Sequence, residues 1–218
     1  QIPKGFIQDI VDETDISTEK ILDLSTSVKS IVAQNFDVKP LQQGKAIVCW
    51  GDSLTAGVGG NGTSYPSVVQ SLLPNKTVIN MGVGGETSRT ISGRNGALPF
   101  IVQPFTIPTT STTVQITLKS SDGLDVAPLL QGSAGINPCY IKGIEGTLTS
   151  SGGLYYFKRT TIGSEVKVTT EEPIITNASK LYRDSALVIF MGQNGGFTDY
   201  DNLVQQHKYI IDYLTSSN

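Results

Sequence analysis

Lys45-Ala-Ile-Val-Cys-Trp-Gly-Asp-Ser-Leu-Thr-Ala-Gly57 decides how the rest of the chain is read. Residues 45–50 form a short unbroken apolar run that ends in Gly51, the pattern of a parallel strand buried on both faces. A serine follows two residues later, between Gly51 and Gly57. That position is the carboxyl edge of an open parallel sheet, where such sheets place their ligands. Two further segments repeat the pattern. Thr77-Val-Ile-Asn80 leads into Gly82-Val-Gly-Gly85, and Ser185-Ala-Leu-Val-Ile-Phe-Met191 ends at Gly192. Helices are expected between and after these strands. Residues 64–73 carry Ser64 as N-cap and Pro66 in the first turn, and Pro74 stops them. Residues 200–214 place Tyr200, Leu203, Val204, His207, Ile210, Ile211 and Leu214 on one stripe.

Two other textures flank this α/β pattern. Thr113-Val-Gln-Ile-Thr-Leu-Lys119, Gly153-Leu-Tyr-Tyr-Phe-Lys-Arg159 and Glu165-Val-Lys-Val-Thr-Thr170 alternate with period two between short turn-forming clusters. They predict a small antiparallel β-rich domain at 97–181, inserted into an α/β domain made of 45–96 and 182–218. Residues 1–36 form a helical stem and 37–44 a linker. In the stem Ile7, Thr14, Ile21 and Val28 stand seven apart, with Ile10, Ser17, Leu24 and Ile31 three residues after each. This is an a/d register that fits either a self-associating coiled coil, leaning towards a homotrimer through residues 7–31, or one amphipathic helix docked on its own domain.

Composition narrows the function. The 218 residues carry 16 Lys and Arg against 19 Asp and Glu, with no basic cluster, which argues against a nucleic-acid partner. No apolar run approaches the roughly 18–20 residues of a membrane-spanning helix, and no membrane partner is expected. Cys49 and Cys139 have no metal-ligand spacing, so neither a metal nor another cofactor is implied.

Gly51-Asp52-Ser53-Leu54, extended through Thr55-Ala56-Gly57, resembles the first block of the SGNH hydrolases, the GDSL esterase/lipase family. Asn80-Met-Gly-Val-Gly-Gly-Glu-Thr-Ser88 is similar to the second block of that family, and Gly192-Gln-Asn194 to the third. The resemblance implies a flavodoxin-like three-layer α/β sandwich on a parallel sheet. It also implies a serine ester hydrolase with Ser53 as nucleophile, its N–H and that of Gly85 as oxyanion donors, and the Asn194 amide as the third donor. Each such donor contributes about 3 kcal/mol of barrier lowering. Asp52 is expected to support the nucleophile turn with hydrogen bonds. Arg89 and Arg94, after the second block, are read as structural or solvated, with an anionic or sugar substrate as the alternative.

Two departures stand out. Gly195 replaces the Asp that usually follows the third-block Asn, and the fourth block, Asp-x-x-His, does not occur in the sequence. His207, the one histidine, has Val204 three residues before it and is read as a helix-face residue rather than the base. The expectation is that the natural protein continues past Asn218, where the base would lie. The start at Gln1, without an initiator Met, likewise suggests a fragment or a processed product.

The expected substrate is an acylated, most simply acetylated, carbohydrate or cell-surface polymer. The alternative is a non-catalytic binding or structural module, such as a trimeric phage tail or baseplate appendage that engages a bacterial surface, in a virion or extracellular setting.

Overall fold

The computed structural model describes residues 45–215. The expected stem, its trimer contact and the linker lie outside these residues. The fold mixes helices with parallel and antiparallel sheets, as the sequence pattern predicts.

β1 (Ile47–Gly51) is buried along its whole length, the environment its continuous apolar run requires. It is the central strand of a parallel sheet in which β2 (Val78–Gly82) pairs on one side and β12 (Ala186–Phe190) on the other. β12, expected to be buried like β1, pairs on one side only among the described residues and leaves Val188 and Phe190 exposed. The register aligns Gly51 with both Gly82 and Phe190, so the three carboxyl ends are level. α1 (Ser53–Ala56) is a single turn seated on those ends. A Cβ on Gly51 would lie 2.0 Å from Thr55 Oγ1, and one on Gly82 2.1 Å from the Ala56 amide nitrogen. These strand ends therefore have to be glycine for α1 to close over them.

α2 (Tyr65–Leu72) starts at the expected Ser64 N-cap, whose hydroxyl accepts from Ser67 N. Gln70 then closes the turn into β2, donating to Lys76 O at 2.7 Å and accepting from Val78 N at 2.9 Å. α3 (Ser88–Asn95) was not legible in the sequence. Ile91 is its one aliphatic residue, yet all eight residues are buried, so no apolar stripe marks it. α4 (Asn177–Tyr182) spans the expected 181/182 domain boundary. Its Ala178 and Tyr182 pack with Val48, Trp50, Met81 and Ile91 in the core of the α/β layer. α5 (Tyr200–Thr215) follows β12 and occupies the stretch expected to be helical.

The β-rich segment comprises β3 (Phe100–Val102), β4 (Phe105–Ile107), β5 (Val114–Ile116), β6 (Leu118–Ser120), β7 (Cys139–Ile141), β8 (Ile144–Ser151), β9 (Leu154–Arg159), β10 (Val166–Val168) and β11 (Glu172–Pro173). They form antiparallel sheets of order β5-β9-β8-β7, β11-β3-β6 and β10-β4. The single strand expected over 113–119 is two strands in two sheets. Ile116 and Leu118 are 5% and 7% exposed and face one core, while Thr117 between them accepts from Gln103 N through its carbonyl. The alternation continues across the sheet change, which is why it did not reveal the break. This second core includes Phe100, Leu148 and Phe157, and it recruits Val83 from the loop after β2.

Two predictions follow from this packing. A Cβ on Gly93 of α3 would meet the fully buried Phe100 ring at 2.2 Å. Alanine improves helix propensity by at most about 1 kcal/mol, whereas overpacking a closed core costs about 1–3 kcal/mol. Gly93→Ala is therefore expected to lower the urea midpoint, and an unchanged midpoint would show that the ring yields. Burial pushes the Cys139 thiol from 9.0 up to about 12. The folded chain holds that proton more tightly than the unfolded chain. The associated stability is full below pH 9 and is lost as pH rises towards 12, at roughly 1.4 kcal/mol per pH unit. Urea melts between pH 9 and 12 should show this decline, and Cys139→Ala should flatten it.

Candidate active site at the strand ends

Ser53 begins α1 and is half-buried, two residues beyond β1. Asp52 caps the turn. Its carboxylate is fully buried, and Oδ1 accepts from Leu54 N at 2.9 Å. The cap fixes where α1 starts and thereby which residue stands at the sheet edge. The Ser53 carbonyl accepts from Gly57 N and Val58 N at 3.1 and 2.9 Å, which holds the turn closed.

The loop after β2 lies beside it. Val83 N donates to Gly51 O at 3.0 Å and extends the parallel ladder by one residue. Glu86 N then donates to Val83 O at 3.3 Å, closing a turn whose third residue, Gly85, has φ +82°. That position in a type II turn calls for glycine. A Cβ on Gly84 would sit 4.0 Å from Ser53 Cβ, so this loop runs against the serine.

The loop after β12 is tied to the same turn. Asn194 Nδ2 donates to Glu86 O at 2.9 Å. Because a carbonyl only accepts, this bond sets which end of the amide is the donor and leaves the second N–H available. Ser88 N and Ser88 Oγ both donate to Gly195 O, at 2.9 and 3.1 Å. Ser53, Gly85 and Asn194 thus stand on three neighbouring loops at the carboxyl ends of β1, β2 and β12. Gly85 and Asn194 are exposed, so a ligand can reach them. The β-rich segment borders this row. Gln131 Nε2 donates to Gly84 O at 3.1 Å, and Leu129 lies 3.6 Å from where a Gly85 Cβ would be.

Below the row is an ion pair that the residue pattern did not reveal. Glu86 and Arg94 are both buried, with side chains 0% exposed. Arg94 Nε donates to both Glu86 oxygens at 3.0 and 3.1 Å, and Nη2 also donates to the carboxylate. Nη1 reaches Ala134 O at 3.1 Å and Nη2 reaches Met81 O at 2.8 Å. The guanidinium also lies 5.1 Å from the centre of the Trp50 ring. Burial pushes the Glu86 carboxyl up, against the pull of Arg94 and with help from the nearby Asp52 charge. In sequence the only signal was an acid and a base eight residues apart in a polar stretch, which a solvated surface helix would show equally well. Arg89 has a different role: its Nη2 donates to Asp122 Oδ2 at 3.0 Å.

His207 is half-buried on α5, and its Nδ1 lies 2.9 Å from Leu203 O, the carbonyl one turn back. Among the described residues no group of three or more His, Cys, Asp or Glu is placed to hold a metal ion. No family model, curated protein or solved structure matches the chain.

Removing one partner of a buried ion pair costs about 3–5 kcal/mol, because the other charge is left unpaired. Arg94→Met is expected to lower stability by that amount at pH 7. Without Arg94 the Glu86 carboxyl holds its proton still more tightly when folded, so the deficit should shrink as pH falls through its raised pKa. Urea melts of the native chain and the variant at pH 5 and 7 test this. A deficit that stays constant between the two pH values would show that Glu86 is not the stranded charge.

Proposed function

We propose that the chain is a serine ester hydrolase of the SGNH type, built on a flavodoxin-like α/β layer. The observation that carries the reading is the row at the strand ends, where the Ser53 turn abuts Gly84 and the Asn194 amide is tied to the turn holding Gly85. In the proposed reaction Ser53 Oγ attacks the acyl carbon. The oxyanion receives the N–H groups of Ser53 and Gly85 and the free N–H of Asn194. The bond to the leaving alkoxide breaks, the alkoxide takes a proton, and water then hydrolyses the acyl-serine ester.

A general base has to accept the Ser53 hydroxyl proton. His207 stands on α5 with Nδ1 on Leu203 O and makes no hydrogen bond to Ser53, so the proposal leaves that role to a group other than His207. The proposed substrate is an acyl, most simply acetyl, group on a carbohydrate or cell-surface polymer. The β-rich segment along the row, through Gln131 and Leu129, supports a large substrate over a small one. A second reading is a non-catalytic module that binds a bacterial surface. The favouring observation is that no imidazole is hydrogen bonded to Ser53 among the described residues.

The readings separate on p-nitrophenyl acetate. The esterase reading expects Ser53→Ala to lower kcat/KM at least 100-fold. It expects Asn194→Ala to lower kcat by about 10²–10³, and His207→Gln to leave both unchanged. Equal rates for the native full-length protein and its Ser53→Ala variant would sink the serine mechanism and leave the binding module.

A further inference from the structure

We infer that the cavity between the first turn of α3 and the 125–127 loop is a subsite for one neutral sugar ring. This deepens the esterase reading and rests on it for the subsite's role. The cavity has a volume of about 200 Å³ and is bounded by α3, Asp125, Val126, Ala127 and Gly196. It starts at Thr87 and Gly196, each two residues beyond a proposed oxyanion donor, Gly85 and Asn194. A ligand held there would lie beside the reacting row.

Three features select the ligand. The Arg89 side chain is only 10% exposed, and Asp122 binds one of its Nη2 donors at 3.0 Å. Asp125, with a side chain 94% exposed, has Oδ1 engaged by Lys119 at 2.7 Å and offers Oδ2. The site therefore presents hydrogen-bond donors and acceptors together, yet its charges are matched as Arg89 with Asp122 and Lys119 with Asp125. Matched charges give no net field to draw in an ion. The third feature is the apolar wall formed by Val126 and Ala127. Hydroxyls that both donate and accept, carried on a ring with an apolar face, complement such a surface. Gly196 lets its loop close against the start of α3 at the cavity's edge. Its φ is +92°, and a Cβ there would lie 2.6 Å from Thr87 Cβ and 2.9 Å from Arg89 N.

Methyl NMR of the 218-residue chain tests the inference, using glucose, galactose and N-acetylglucosamine as probes with glucuronate and inorganic phosphate as charged controls. At least one neutral sugar should shift the Val126 and Ala127 methyl resonances saturably. Its affinity should fall more than tenfold in Ala127→Phe, which fills the cavity from an exposed position, and several-fold in Asp125→Asn. Ser53→Ala should bind as the native chain does. No shift with any neutral sugar, equal binding of the charged controls, or undiminished affinity in both cavity variants would overturn the subsite. Binding is read without turnover, so the two proposals fail separately. A full-length protein that binds sugar but does not hydrolyse esters overturns the esterase reading alone. One that hydrolyses p-nitrophenyl acetate without a sugar-induced shift overturns the subsite alone.

Discussion

The buried pair of Glu86 and Arg94 is the constraint on which the strand-end loops depend. A guanidinium and a carboxylate withdrawn from water are tolerable only when each satisfies the other and the remaining donors find partners. Arg94 meets that demand with Glu86, Met81 O and Ala134 O. Its own carbonyl accepts from Thr176 Oγ1 at 2.7 Å. One side chain and its backbone thereby join β2, the turn after it, α3, the 132–134 turn and the start of α4. Lysine, a single point donor, could not reproduce the planar fork.

The same pair links the interior to the surface. The Glu86 side chain is anchored below while its carbonyl receives Asn194 Nδ2 above. The loop after β2 is therefore held from beneath, and the loop after β12 is oriented by it. A row of polar groups at a sheet edge needs such support, since loops without it sample many arrangements.

The β-rich segment shares this framework. Val83 leaves β2 by one more ladder bond and then enters the core formed by Phe100, Leu148 and Phe157. Gln131 and the Arg89–Asp122 pair tie the segment to the loop after β2 and to α3 respectively. The cavity beside the row is a product of both parts, because α3 supplies one wall and the 125–127 loop the other.

The sequence by itself determined the position of elements marked by an apolar run, a cap or a stripe, though not the exposure of β12. β1, β2 and β12 are short apolar runs ending near glycine, α2 carries its cap and its proline, and α5 has one apolar stripe. Glycine clusters after apolar runs also marked loops at a parallel sheet edge, and the resemblance to family blocks singled out Ser53, Gly85 and Asn194 within them. Tertiary structure alone decided α3, a polar helix buried by its neighbours. It likewise decided the sheet change at Thr117, the pairing of Glu86 with Arg94 and the cavity against the 125–127 loop. Periodicity records which face of an element meets apolar surroundings. It carries no record of a polar side chain whose partners come from distant segments, and those partners exist only once the chain has folded.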